Sequence, residues 1–500
     1  MTRITDLPSS LDHADRFLID GEWVTPSSSA TVELVDSSTG LPWATVAAAQ
    51  EADMSRAIGA ARRAFDRGPW ARLTPAQRAE YLHRIADELR KRESDVGQIW
   101  PRESGVIQST ATAMAAGAGF AFDYYADMAS TFVFDEPVRP AWGGEYGLIA
   151  REPVGVVGAI VPWNAPLGLM VWKVAPALLA GCTVVVKSAR EAPGDGYLLA
   201  EAAMAAGLPA GVLNVVTAAD RTVSEQLVTD PRVDKIAFTG STAAGRRIGG
   251  ILGERLARMT LELGGKSAAV ILDDFDLDTA AKELALHQTN ISGQFCASLS
   301  RIIVTRSRHD EFVEALAHHF GAVTVGDPFD AATQMGPLAM GKQRDKVEEY
   351  VAKGISDGAT LATGGHRPAG LDQGFYFEPT VFGNVDNSST IAQEEIFGPV
   401  LTVIPADDED HAVELANDSL YGLNSSVYTD DDEKGLAVAR RLRAGTVGHN
   451  AYRGDFTMSF GGFKQSGVGR EGGRVGLNAF LETKSIILNA RPAGFPELDD

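Results

Sequence analysis

Cysteine is nearly absent: two residues in 500, Cys182 and Cys296. That excludes a disulfide-framed secreted scaffold. In a reducing compartment each is either a small buried hydrophobe or a reactive thiol. Apolar runs of membrane-spanning length are also missing. The densest, 167–180, is interrupted by Lys173 and Pro176. Met1–Ser10 has no apolar core of the signal-peptide type. These absences point to the cytoplasm. Positive charge is in deficit, with 45 Lys and Arg against 66 Asp and Glu, a net charge of −21. No basic run or aromatic–basic stripe relieves it, which argues against nucleic acid and anionic membranes as partners. Internal repeats and long low-complexity segments are lacking too. What is present is 45% hydrophobic and 22% charged, the mix of a soluble globular protein. The length calls for two or three structural units.

The first stretch reads as irregular and strand-like, then turns helical. Thr74 is an N-cap, Pro75 fits the first helical position and Gln77 completes a capping box. Leu82, Ile85, Ala86 and Leu89 follow on one helical face. Residues 132–149, short and rich in aromatics, Gly and Pro, read as a hairpin or extension that packs on a neighbouring subunit. From 156 onward β-rich runs (156–161, 183–187, 212–216, 236–239, 260–262) alternate with helical ones, which stop at Gly181 and Gly207. That rhythm predicts a doubly wound parallel sheet of Rossmann-like type. Such sheets bind ligands beyond the carboxyl ends of their strands, where Asn164, Lys187, Gly240 and Glu262 fall. A second α/β region follows, with strands at 270–272, 302–304, 400–403, 426–428 and 446–447 and helices at 311–320 and 342–354. Residues 481–489 read as a last strand. The expected organisation is a dinucleotide-binding unit (1–131 and 150–262), a thiol-bearing catalytic unit (263–467) and a small β oligomerisation extension with the tail (132–149 and 468–500).

Six local patterns carry chemistry. Pro162-Trp163-Asn164 follows a strand. Phe238-Thr239-Gly240-Ser241-Thr242 follows another, with Gly245 after it, and opens a helix whose exposed amides suit a pyrophosphate. Glu262-Leu263-Gly264-Gly265-Lys266 comes next, then Gly293-Gln294-Phe295-Cys296. Glu394-Glu395-Ile396-Phe397-Gly398-Pro399 and Phe460-Gly461-Gly462-Phe463-Lys464-Gln465-Ser466-Gly467 complete the series. The small-residue context of Cys296 suggests a turn opening a helix, a setting that lowers a thiol pKa. Read singly, each pattern has a plain structural alternative: a turn Asn, a solvated strand-end Lys187, a core Phe397, a buried lysine at 173 satisfied by a carbonyl or carboxylate.

Together and in this order, from roughly residue 32 to 488, the patterns resemble the aldehyde dehydrogenase superfamily in its NAD(P)-dependent, hydrolytic form. The resemblance implies a covalent route. Cys296 attacks the aldehyde, and the Asn164 side chain with the Cys296 backbone N–H forms the oxyanion hole. Glu262 activates the water that cleaves the thioester, and Lys173 lies near the thiol. It implies a cofactor site from Val161, Pro162, Trp163, Lys187, Ala189, Arg190, Phe238, Thr239, Gly240, Ser241, Thr242, Gly245, Leu263, Gly264, Glu395 and Phe397. It places Ala165, Leu169, Trp172, Ile291, Phe295, Ala297, Arg453 and Phe460 around the substrate. That largely apolar set suits a medium aliphatic, terpenoid or aromatic aldehyde. Arg453, if it faces the tunnel, suits a semialdehyde carboxylate, and it is otherwise a solvated loop residue.

Two departures stand out. Arg190 occupies the place where the family often has a Glu for the ribose 2′-hydroxyl, which leaves NADP open beside NAD; Glu191 is the substitute if Arg190 points to solvent. Thr217-Ala218-Ala219 replaces a usual Gly after the third strand. Acylating relatives that use coenzyme A typically lack the Glu at 262. The rivals are such an acylating enzyme, a non-catalytic nucleotide-binding relative and a thiol hydrolase. The family's assembly implies a homodimer or homotetramer.

Overall fold

The computed structural model describes residues 11–498. The first ten residues, where the absence of a leader was read, lie outside that range. The larger sheet runs in spatial order Gly467–Val468, Arg258–Glu262, Lys235–Thr239, Val156–Ile160, Thr183–Ser188, Leu213–Thr217, Phe17–Ile19, Glu22–Val24. Its five central strands are parallel, and antiparallel strands close both edges. Alternation along one strand explains why the sheet is covered twice. Val184 and Val186 pack with the helices Pro166–Ala180 and Gly194–Ala205, whereas Val185 packs with the helix Glu51–Arg67 on the other face. The five predicted strands are present with ends shifted by one or two residues. Gly181 and Gly207 both adopt the left-handed conformation that glycine tolerates best.

The second sheet has the order Thr360–Thr363, Thr380–Gly383, Val400–Ala406, Arg301–Thr305, Ala268–Ile271, Asn424–Tyr428, Thr446–His449. All but the first are parallel. The sequence reading found five of these strands and missed Thr360–Thr363 and Thr380–Gly383. The former is a short edge strand, exposed along most of its length and next to a Gly pair, so it carries no alternating pattern. The helices His309–Gly321 and Gly341–Ser356 lie where expected.

A third, antiparallel sheet joins Asp135–Val138, Tyr146–Pro153 and Leu481–Leu488. Its middle strand runs four residues past the boundary expected at 149, so the extension is fused to the start of the parallel sheet. The strand Gly467–Val468 likewise crosses the boundary expected at 467 and pairs with Leu261 and Glu262. The fold is thus α/β throughout. Among the described residues no helix is long and apolar enough to cross a membrane, and no cluster of His, Cys, Asp and Glu is arranged to hold a metal ion.

The helix Pro75–Arg90 has the predicted cap. Thr74 Oγ1 accepts from the Gln77 N–H, and Gln77 Oε1 accepts from the Thr74 N–H. Its face of Leu82, Ile85, Ala86 and Leu89 is buried against the helix Gln108–Met128. Thr74→Ala is expected to destabilise this helix by about 1 kcal/mol. Hydrogen exchange should show faster exchange confined to the first turns after residue 74, with the sheets unaffected.

Candidate functional site

Strand ends from the first sheet and loops from the second wall a single cavity of about 580 Å³. On one side lie Pro162, Trp163, Thr239, Gly240, Ser241, Leu263, Gly264, Glu395 and Phe397. On the other lie Ala165, Leu169, Trp172, Ile291, Phe295, Ala297 and Phe460. Asn164, Glu262 and Cys296 stand between the two groups. A second cleft of about 180 Å³ holds Lys187 and Phe238 with Arg221 and Arg247. Between the clefts runs the helix Thr242–Glu254. Its N-cap Ser241 accepts from the Ala244 N–H, and its first turn carries no acidic residue. The Gly240 N–H donates to the Glu262 carbonyl, so the two motifs lean on each other.

Cys296 does not open a helix. It follows a short turn, 290–293, in which Ile291, Ser292 and Gly293 take φ values of +49°, +53° and +72°. Residues 297–300 then lead into the strand Arg301–Thr305. A β-branched residue in this region costs of order 1–2 kcal/mol, so the surroundings must hold the turn in place. Without a helix N-terminus the expected fall in thiol pKa is absent. Burial, then the nearby carboxylates of Glu395 and Glu262, push the thiol up to about 12. Cys182 is buried in the apolar core and its thiol is also raised, to about 11.

Glu262 is 2% exposed, and neither carboxylate oxygen has a hydrogen-bond partner. Burial first, and then the Glu471 carboxylate, hold its pKa well above the ordinary carboxylate range; Lys173 and Arg470 oppose them. Lys173 does not line the cavity. It is fully buried and donates to Glu471 Oε1 and Thr239 Oγ1, each at 2.6 Å. The alternative of a buried lysine satisfied by a carboxylate is what the structure contains, one layer behind Glu262.

Asn164 is buried, and its Nδ2 donates to the Gln294 carbonyl at 2.9 Å, leaving a second N–H. Its own carbonyl accepts from Trp100 Nε1, and Ser104 Oγ donates to the Trp163 carbonyl. Glu395 Oε1 accepts from the Gly265 N–H at 3.0 Å. A Cβ at Gly264 would meet Glu395 Oε2 at 2.6 Å, so the two motifs approach as only glycine permits. Phe397, in the left-handed region at φ +64°, sets its ring edge to face with Trp163, centroids 5.5 Å apart.

Several predicted residues lie off the main cavity. Val161 and Ala189 are buried behind the strand ends, and Thr242 and Gly245 belong to the helix between the clefts. A Cβ at Gly245 would run into the Leu263 side chain. Arg190 is exposed, with its Nε 3.5 Å from Glu191. Arg453 is exposed and outside the cavity wall, because the adjacent Tyr452 faces inward instead.

The sequence reading also missed wall residues. Thr110, Ala113 and Met114 come from the helix Gln108–Met128, and Gln343 and Lys346 from Gly341–Ser356. His287 stacks on Tyr452 with centroids 4.4 Å apart and meets Phe295 edge on at 4.9 Å. Burial pushes its pKa down to about 4, so the imidazole is neutral at pH 7. Glu471 carried no local signal; it meets Lys173 across 298 residues of chain.

The cradle fits a nicotinamide dinucleotide. The glycines leave space where a side chain would intrude, and the helix N-terminus presents its amides between an apolar cleft and the thiol. The arrangement sets a nucleophile, a hydrogen-bond donor and a desolvated carboxylate around one apolar chamber.

Comparison with known proteins agrees. Residues 23–486 match the model of the aldehyde dehydrogenase family. Geranial dehydrogenase of Castellaniella defragrans is 43% identical over 96% of this chain and 99% of its own. The 3-succinoylsemialdehyde-pyridine dehydrogenase of a Pseudomonas species is 40% identical over 94% and 98%. Among solved structures, an aldehyde dehydrogenase of Mycobacterium tuberculosis complexed with NAD+ superposes with a TM-score of 0.93 at 45% identity, covering 97% of this chain and 99% of that one. A variant of aldehyde dehydrogenase C from Pseudomonas syringae, complexed with NAD+ and octanal, gives 0.92 at 39% identity over 97% and 98%.

The raised thiol pKa has a direct consequence. A group with its pKa near 12 is protonated at neutral pH and gains thiolate as pH rises. Without cofactor, inactivation of the enzyme by iodoacetamide should therefore accelerate about tenfold per pH unit from pH 7 to 10. A rate that levels off below pH 8 would contradict the geometry described.

Proposed function

The chain belongs to the aldehyde dehydrogenase family, and we propose that it oxidises apolar aldehydes to carboxylic acids with NAD+ and water through a thioester on Cys296. The observation that carries this reading is the convergence of Cys296, Asn164 and Glu262 on one cavity beside the Gly240–Ser241 turn. Cys296 gives up its thiol proton to solvent and adds through the thiolate sulfur to the aldehyde carbon, and the free N–H of Asn164 with the Cys296 backbone N–H receives the oxyanion. Pro162, Trp163, Ser241, Glu395 and Phe397 would hold the dinucleotide on the main cavity, and Lys187 in the second cleft, so that the bound dinucleotide would supply the acceptor for the hydride leaving the adduct carbon. The Glu262 carboxylate then takes a proton from water, and the resulting hydroxide cleaves the thioester. A raised pKa makes Glu262 a stronger base than a free carboxylate. A desolvated carboxylate on the same cavity wall as the thiol favours hydrolysis over transfer to coenzyme A.

The substrate reading rests on the wall. Trp172 packs edge to face with Phe460 at 5.0 Å and is tilted against Phe456 at 5.3 Å. Ala165, Leu169, Ile291 and Phe295 continue the apolar surface. Among the described residues, the wall has two basic side chains. Lys346 is engaged with the Glu395 carbonyl, and His287 is neutral. Neither offers a free cation for a carboxylate, and Arg453 is outside. Medium aliphatic, terpenoid or aromatic aldehydes fit this chamber, in keeping with the geranial and octanal named for two relatives. NAD is the preferred cofactor because Arg190 is turned to solvent beside Glu191. The three-stranded sheet of Asp135–Val138, Tyr146–Pro153 and Leu481–Leu488 is the proposed bridge in a homodimer or homotetramer.

The test is reduction of NAD+ and NADP+ without coenzyme A across hexanal, citral, benzaldehyde and succinic semialdehyde. The first three should turn over with NAD+, and succinic semialdehyde poorly. Turnover of the semialdehyde alone overturns the substrate reading, and a requirement for coenzyme A overturns the hydrolytic one. Glu262→Gln should keep one rapid equivalent of NADH and lose about 10²–10⁴-fold in steady-state turnover. In the native enzyme a carboxylate is needed, so turnover should fall on the acid side through a pKa above the ordinary carboxylate range.

A further inference from the structure

Gln294 is two residues from the thiol and fully buried, yet the chemistry outlined for the site gives its side chain no part. Both polar atoms of its amide are engaged. Oε1 accepts from the Ala339 N–H at 2.9 Å, and Nε2 donates to the carbonyls of Ile291 at 3.0 Å and Ser104 at 3.2 Å. One side chain thus ties together the helix end at 104, the left-handed turn at 291 and the loop at 339. The Gln294 backbone is fastened as well, its N–H donating to the Ile291 carbonyl at 2.9 Å.

The remaining group is the Gln294 carbonyl, which accepts from Asn164 Nδ2. An amide NH2 has two hydrogens in a fixed plane. Committing one to a rigid carbonyl sets the direction of the other. The same helix end holds the Asn164 side of the contact, through Trp100 and Ser104 on the backbone of Trp163 and Asn164. Ser292 Oγ donates to the Gly336 carbonyl at 2.8 Å and braces the turn. The neighbouring Gly293 has no room for a Cβ against the Gly398 carbonyl.

We infer that Gln294 is a positioning residue: its side chain fixes the carbonyl that orients Asn164 Nδ2 and so aims the second N–H at the reacting oxygen. This rests on the reading of Asn164 as oxyanion donor. The alternative is a general structural anchor for the turn, which would act on Cys296 and the fold alike and not through Asn164.

A double-mutant cycle on the full-length enzyme, with hexanal and NAD+, separates the two. Gln294→Met keeps the length and removes both donors and the acceptor. It should lower kcat about 10- to 100-fold, the scale of a small misplacement of a catalytic group, with NAD+ binding and its KM unchanged. Asn164→Ala should lower kcat by itself, about 10²–10³-fold. In that background Gln294→Met should cost less than about threefold, because the group it orients is gone. Gln294→Glu supplies a second readout: a protonated carboxyl donates one hydrogen bond and a carboxylate none. Its kcat relative to the native enzyme should therefore rise as pH falls. If Gln294→Met does not fold, as judged by NAD+ binding, the same cycle is run with Gln294→Glu. Normal kcat in the Gln294 variants, or full additivity with Asn164→Ala, overturns the inference. Normal kcat in Asn164→Ala overturns the oxyanion reading itself.

Discussion

The carboxylate of Glu262, buried with no protein hydrogen bond to either oxygen, is the constraint around which the site is arranged. An unsolvated charge is costly by several kcal/mol, and a buried carboxyl relieves the cost by taking a proton. The surroundings hold Glu262 between these limits. Glu471 pushes toward the neutral form, and Lys173 and Arg470 pull toward the anion. Lys173 and Glu471 are themselves joined by a buried ion pair, which brings the helix Pro166–Ala180 against the segment after Gly467–Val468. The strand Gly467–Val468 itself pairs with the strand ending in Glu262. The electrostatics of Glu262 and the anchoring of the chain around Gly467–Val468 to the first sheet are therefore one construction.

Desolvation acts on the thiol by the same route. Cys296 is raised by burial and by the carboxylates of Glu395 and Glu262, so the thiol and the Glu262 carboxyl, both on the wall of one cavity, sit outside their ordinary ranges. Neither is poised as it would be in water. What is poised is geometry: the strained turn from Ile291 to Gly293, the Asn164 amide and the glycines at 264 and 265, which let Glu395 and the Cys296 carbonyl approach the backbone. Local conformational cost concentrated beside reacting atoms is the usual mark of such sites. Here the turn is braced from three separate elements.

Most of the fold was legible because the signals are local. Parallel strands at 156–161 and 183–187 read as apolar runs, and the Thr74 cap and the stop at Gly181 use residue types with definite backbone reasons. Residues at strand ends were found because a doubly wound sheet places its ligands there. Long-range facts were not legible. Nothing near Glu471 announces Lys173, and nothing in 283–289 marks His287 as cavity wall rather than core. The expected helix after Cys296 failed for a physical reason: three consecutive left-handed residues turn the chain into a strand, and small residues permit either outcome. The direction of the Arg453 side chain on its loop is set by its neighbours and not by spacing along the sequence.

In the proposed reading, substrate choice and mechanism are coupled through the same dryness. A chamber that raises the pKa of Glu262 and Cys296 and keeps His287 neutral penalises any charge brought into it. A charged aldehyde would need a dedicated counter-ion on the wall, and the two basic side chains present are respectively engaged and neutral. An apolar aldehyde instead adds its own surface to the wall of Trp172, Phe295 and Phe460, excludes further water and strengthens the donor contact at its oxygen. Adding a cation to the wall to accept a carboxylate substrate would also pull Glu262 toward its ordinary pKa and weaken it as a base. In the proposed reading, apolar selectivity would follow from the same desolvation that would strengthen Glu262 as a base.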